Sequence, residues 1–326
     1  MSTAAQTSKE HILVRIAKHI WTEYSIIVVT IIIFAIAGIL APRFIQPSNI
    51  IVILRQASII GVIAMGMAFV IITGGIDLSS GHVVATSGAV LILLQSMPNV
   101  PLIVAILACL AVGVVVGLFN GLIITQFRVP AFIVTLAVGI MARSIALWAV
   151  DGRALTGDRD DMVFRSIGTG SIGFMPYPLL IWIGLAILLG CALKYTKPGS
   201  YIYAVGGNEM ASKYSGISVN RVKIMAYALT GFCAALAAIL SISRTVTIAV
   251  PTSGHMYEFD AITAAVVGGV ALSGGRGKIL NVFFGVIIIT VVSNLMAMLG
   301  LSVMLSGFVK GLVILVAVLL QRREAI

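Results

Sequence analysis

Residues 50–94 read IIVILRQASIIGVIAMGMAFVIITGGIDLSSGHVVATSGAVLILL. The stretch 50–72 is apolar for long enough to cross a bilayer core, since about 20 residues of helix rising 1.5 Å each cover roughly 30 Å. Gly74-Gly75-Ile76-Asp77-Leu78-Ser79-Ser80-Gly81 then interrupts it with glycines, a carboxylate and two hydroxyls, and a shorter apolar run, 81–94, comes next. A run too short to cross, entered through a polar break, predicts membrane helices of which one is broken at depth. Non-helical backbone survives there only where protein or water covers it.

Composition extends this reading to the whole chain. Of 326 residues 60% are apolar and 10% charged, with a mean hydropathy of +1.14, too little charge to cover a water-soluble domain. Apolar windows bounded by turn residues give ten spans: 25–40, 50–72, 81–94, 101–122, 131–149, 178–193, 224–242, 260–272, 279–298 and 301–320. The expected architecture is all-α and polytopic: an N-terminal segment 1–24, one transmembrane domain 25–320 and a tail 321–326. Ala35-Ile36-Ala37 raises a cleaved signal peptide, but an uncleaved first span is preferred because the chain beyond it is itself membrane-embedded.

The net charge of +10 is read as a topology signal rather than a nucleic-acid footprint. An even number of spans puts both termini on one side. On that assignment inner segments hold thirteen of the 21 Lys and Arg and outer segments five, which places both termini in the cytoplasm. Arg55, Arg143 and Lys310 fall within spans. Arg55 and Arg143 are expected to reach the outer interface with their long side chains. Lys310, near the middle of the last span, must face the bundle interior or water, as a pathway residue or hydrogen-bonded to carbonyls, with Asp77 as an unproven partner.

The broken segment has an echo. Gly268-Gly269-Val270-Ala271-Leu272-Ser273-Gly274-Gly275 matches 74–81 at five of eight positions, and both copies adjoin a short span, 81–94 or 260–272. Short or Gly-interrupted spans at corresponding places in two halves point to a transport pathway. Pathway candidates are therefore Gly74, Gly75, Asp77, Ser79, Gly268, Gly269, Gly274, Gly275 and Lys310. Asp77 has two readings: a gating or ion-pairing carboxylate, or, preferred, a cap for the helix beginning near Gly81.

Two loops are long. The outer one, 150–177, carries both signs of charge and suits either a surface for another protein or plain solvation. The inner one, 194–223, holds Asn208, able to cap a helix, then Glu209 in the first turn and Gly216 at a terminator position. That spells a separate helix of about two turns, roughly 10 Å, suited to docking into a cytoplasmic partner; an ordinary connecting helix is the plain alternative.

Several chemistries are missing from the pattern. Cys109, Cys191 and Cys233 lie apart in apolar runs and the four histidines have no ligand spacing, so neither a disulfide nor a metal site is expected. Gly274-Gly275-Arg276-Gly277-Lys278-Ile279 fails the phosphate-loop pattern, with Leu272 at the first glycine position and Ile279 at the hydroxyl position. No cofactor is expected on this chain; if ATP drives it, ATP and magnesium belong to an ATPase on another chain. There is no dense set of intramembrane carboxylates for ion coupling, and no nucleophile with a base for an intramembrane enzyme.

The chain resembles the inner-membrane permease subunits of ribose-type bacterial ABC importers. The likeness rests on 74–79 (GGIDLS), 203–209 (YAVGGNE) with Ser215-Gly216-Ile217, Gly268-Gly269 followed by 274–277 (GGRG), Asn120-Gly121, and 130–136 (PAFIVTL). It implies a plasma-membrane permease dimer, homo- or heteromeric, a separate cytoplasmic ATPase and a periplasmic sugar-binding protein. It also implies that Gly207, Asn208, Glu209, Ala211, Ser215, Gly216 and Ile217 form the helix that docks into the ATPase. Ser80, Val270-Ala271, Ala137 and Ser144 depart from residues common in the family, and those positions bear on the cargo. The expected activity is transport of a sugar or polyol, not catalysis; the alternative is an ion-coupled or facilitative secondary transporter.

Overall fold

The computed structural model describes residues 25–301 and, beyond them, 305, 307–309, 311, 312 and 315. In chain order the helices are α1 (Ser25–Leu40), α2 (Pro47–Ile72), α3 (Ser80–Gln95), α4 (Leu102–Phe127), α5 (Ala131–Ala149), α6 (Met162–Thr169), α7 (Tyr177–Tyr195), α8 (Lys197–Gly207), α9 (Glu209–Tyr214), α10 (Val219–Thr245), α11 (Tyr257–Val267) and α12 (Ile279–Met298). Among the described residues six helices, α2, α4, α5, α7, α10 and α12, are long and apolar enough to cross a membrane, while α1 and α3 are apolar but shorter. This is a polytopic membrane protein. Of the tenth expected span, 301–320, only scattered residues are described, and Lys310 lies outside them.

The all-α expectation needs one small amendment. Leu155–Thr156 (β1) pairs antiparallel with Thr247–Ile248 (β4), and Ser171–Ile172 (β2) with Met175–Pro176 (β3). The first of these ribbons ties the 150–177 loop to the end of α10. That loop also holds α6, which the sequence reading passed over: Asp161 accepts from the Phe164 amide at 2.9 Å, and the Phe164 ring is fully buried.

α2 and α10 form the centre. Beyond Ser58 α2 is apolar on every side and buried throughout, as a helix without a polar stripe must be. In a membrane, lipid tails are as apolar as side chains, so close packing holds helices together rather than exclusion of water. The α4–α10 crossing shows how. Gly113, Gly117 and Gly121, four residues apart on α4, face Gly231, the Tyr227 carbonyl and Ile224; a Cβ on Gly121 would stand 2.7 Å from the Ile224 Cα. The two backbones touch because nothing projects between them. Elsewhere the Trp182 ring of α7 stacks on Phe283 of α12, centroids 4.0 Å apart, and Asn49 and Asn294 exchange amide hydrogen bonds of 3.0 and 3.1 Å.

Candidate translocation and coupling site

The two glycine breaks terminate helices in the same way. Gly74 has φ +81° and Gly269 φ +82°, the left-handed conformation that glycine adopts without strain. Gly74 N donates to Ile71 O and Gly75 N to Val70 O; Gly269 N donates to Val266 O and Val270 N to Ala265 O, at 2.9 to 3.0 Å. Each pair is a 5→2 and 6→1 helix terminator. Gly74 thus corresponds to Gly269, not to Gly268, so the structural repeat is one residue out of register with the sequence match. Gly268 is instead the C-cap of α11, packed against Val282 of α12. The helices beside the breaks are short, 16 residues in α3 and 11 in α11.

The breaks also lie side by side. Gly275 N donates to Ile72 O at 2.8 Å, and a Cβ on Gly274 would meet the Gly74 amide at 3.1 Å. Gly206, one residue before the end of α8, is wedged between the Ile72 carbonyl and the Gly275 amide, with no room for a side chain. On the same helix the Tyr203 hydroxyl donates to Gly277 O at 2.6 Å, and burial pushes its phenol pKa above the ordinary value. The 194–223 loop is therefore pinned to both breaks, which the sequence did not reveal.

From Gly207 the chain enters α9. Asn208 Oδ1 accepts from Ala211 N at 2.9 Å, and Glu209 in the first turn meets Lys223 of α10 at 2.6 Å. Ser215 Oγ donates to Ala211 O at 2.9 Å. The helix closes with Gly216 at φ +81°, Gly216 N to Lys213 O at 3.1 Å and Ile217 N to Ser212 O at 3.0 Å. Ile217 is tucked against the bundle, whereas Met210 and Tyr214 stand out. The cap and terminator are those anticipated from the residue types.

Below the first break a cavity of about 1020 Å³ is lined by Thr73, Gly74, Gly75, Arg128, Glu209 and Tyr227, among others. Tyr227, missed from sequence, places its hydroxyl against Gly75 and the Ile76 carbonyl. Above it Asp77 is fully buried. Its Oδ1 accepts from Ser79 N at 2.8 Å and Ser79 Oγ at 2.6 Å, and Asn120 Nδ2 donates to that same Oγ at 2.8 Å. Leu78 N donates to Thr135 Oγ1 at 3.0 Å. The expected capping of the helix by Asp77 is not what is found: α3 begins at Ser80, its N-cap Ser79 makes no side-chain capping bond, and Asp77 is spent on the amide and hydroxyl of Ser79 rather than on an amide inside the helix.

The intramembrane arginines are both committed to carbonyls. Arg55 Nη2 donates to Thr169 O at 2.7 Å, joining α2 to the end of α6. Arg143 departs from the expectation of interfacial anchoring: its two terminal nitrogens donate to Val250, Pro251, Gly81 and Ser253 carbonyls at 3.0 to 3.3 Å. A carbonyl-rich turn packed on α3 holds it inward.

Comparison with known proteins bears on what this arrangement does. Residues 49–318 match the family described as branched-chain amino acid transport system / permease component. The ribose import permease protein of Haemophilus influenzae is 42% identical over 295 residues, covering 89% of this chain and 90% of that one. That of Bacillus subtilis is 43% identical over 294 residues, covering 90% and 91%. The L-arabinose transport system permease protein of Escherichia coli K12 is 34% identical over 311 residues, covering 93% and 91%. No solved structure matches the chain.

Proposed function

This chain belongs to the branched-chain amino acid transport system / permease component family, and from that premise we propose that it is the permease subunit of an ATP-driven importer that brings a sugar across the bacterial inner membrane. The names of its relatives, ribose and L-arabinose permeases, support a monosaccharide cargo. Its partners are a cytoplasmic ABC ATPase that carries ATP and magnesium, a periplasmic sugar-binding protein docking on the 150–177 loop, and a second permease subunit. Ten spans with both termini in the cytoplasm, and residues 1–24 and 321–326 as cytoplasmic ends, complete the arrangement.

The observation that carries this reading is the junction of α8 and α9 with the two breaks. A capped helix with exposed Met210 and Tyr214 offers a docking knob, and Gly206 sits between Ile72 and Gly275 just before it. Closure of the ATPase pair on ATP displaces α9. Through the Gly206 wedge both breaks move together, and Lys223, paired to Glu209, carries the push to α10 and to Tyr227 one turn on. The cavity below Gly74-Gly75 is the inward mouth of the pathway, which alternates with an outward-open state that receives the sugar.

Reconstitution tests this. In proteoliposomes with the ATPase and the binding protein, D-ribose accumulates only when ATP reaches the ATPase, and the purified permease alone hydrolyses none. Uptake that survives removal of ATP or of the ATPase makes the chain a carrier instead.

A further inference from the structure

The segment between β4 and α11 does not stay with the outer loop. After pairing with β1 it turns back into the bundle, with Gly254 at φ +69° packed on the Gly81 carbonyl and Arg143 holding the carbonyls of Val250, Pro251 and Ser253. Gly81 lies fourteen residues along α3 from Gln95, whose amide meets Asp161 of the 150–177 loop at 3.3 Å. At 1.5 Å per residue the turn therefore reaches roughly 20 Å inward of that loop, deep in a core about 30 Å thick.

At that depth Thr252 and His255 are exposed on the described surface. Hydroxyl, imidazole and irregular backbone do not face hydrocarbon; they persist where protein or a water-filled passage meets them. His82 of α3 stands within electrostatic reach of Arg143 and His255, and its Nδ1 has no hydrogen-bond partner among the described residues. Ser80 Oγ, fully buried beside it in sequence, has none either. Arg143 is held by four carbonyls, and the Glu258 carboxylate lies close by against Gly81. There remain the exposed Thr252 hydroxyl and His255 imidazole, groups suited to pair with hydroxyls that both donate and accept.

We infer that the turn 251–256, with His82, is a contact station for a neutral polyhydroxylated solute, of monosaccharide size, midway along the pathway. This rests on the importer function proposed for the chain. The station lies on the opposite side of the Asp77–Ser79 break from the cavity, so a solute passes it before the mouth beneath Gly74-Gly75.

Single cysteines at Thr252 and His255, in a Cys191→Ser background of the complete complex, test water access. Cys109 and Cys233 are buried and give little background. Both positions are expected to react with a small hydrophilic methanethiosulfonate faster than a control cysteine at Leu188 of α7, which is 65% exposed on an apolar helix. Reaction no faster than at Leu188 overturns the inference and leaves the importer reading standing. The solute contact is read separately, as D-ribose moved per ATP hydrolysed. Combined Thr252→Ala and His255→Ala is expected to lower that ratio about tenfold, the worth of one hydrogen bond, while binding-protein-stimulated ATP hydrolysis persists and Thr252→Ser keeps the ratio. An unchanged ratio in the double variant overturns the inference. Absence of ATP-driven uptake in the unsubstituted complex overturns the importer reading instead, and the labelling comparison still reports on the turn.

Discussion

Gly216 isolates the contribution of α9 because its replacement changes backbone energy and nothing else. Its φ is +81°, and a Cβ built on it meets no atom within 4 Å, so no steric clash accompanies the change. An L-residue in this conformation costs about 1–2 kcal/mol, more for a β-branched one and less for Asn. A helix of six residues has no stability of its own. It is held by the Asn208 cap, worth about 1 kcal/mol, by the two terminator bonds, and by the Glu209–Lys223 pair, which with Glu209 half exposed adds less than about 1 kcal/mol. Losing about 1–2 kcal/mol from so small a sum lowers the ratio of formed to unformed α9 by roughly 5- to 30-fold, and the formed population by at most that factor, since about 1.4 kcal/mol is a factor of ten. Uptake at limiting ATPase is therefore expected to fall in the order Gly216→Asn, Gly216→Ala, Gly216→Val, from near normal towards a floor of about 3–20% of wild type, with equal amounts of permease in the membrane. ATPase pulled down on tagged permease should show the same order. Wild-type uptake by Gly216→Val, or equal loss in all three variants, would refute the reasoning.

The packing sets two further outcomes. Gly117→Ala places a Cβ against the Tyr227 carbonyl and 2.9 Å from the Ala228 Cα, so it is expected to cost about 1–3 kcal/mol and lower the melting temperature in detergent; Gly184→Ala on α7, with no atom within 4 Å, is expected to leave it unchanged or raised. The two breaks share an orientation, so single cysteines at Leu78 and Leu272 should react with an impermeant maleimide from the same face of inside-out vesicles; labelling from opposite faces contradicts a parallel repeat.

The membrane helices were legible because length and hydropathy alone specify them: the expected span 131–149 coincides with α5, and 279–298 with α12. α9 was legible for a different reason, that Asn208, Glu209 and Gly216 each act on backbone within a turn of themselves. Features that depend on distant partners were not. The Gly113, Gly117 and Gly121 spacing is visible in the sequence, but only the structure shows which helix lies against it. The Gly-Gly echo was visible, yet its register was misjudged by one, since the left-handed residue and not the first glycine marks the equivalent position. The inward turn at 251–256 left no mark in the sequence because its polar residues look like any loop until Gly81 and Arg143 are seen beside them. Arg143 itself was assigned to the interface from its place in the span, whereas four carbonyls draw it inward.

That docking through α9 joins this chain to its energy source is tested most directly by a photo-crosslinking residue at Tyr214, whose side chain is 84% exposed at the tip of that helix. Irradiated in membranes containing the whole transporter, it is expected to form one main adduct, with the ATPase subunit. The same crosslinker at Trp148, at the far end of α5 and 85% exposed, is expected to form none with it. An ATPase adduct from Trp148 and none from Tyr214 would contradict the account.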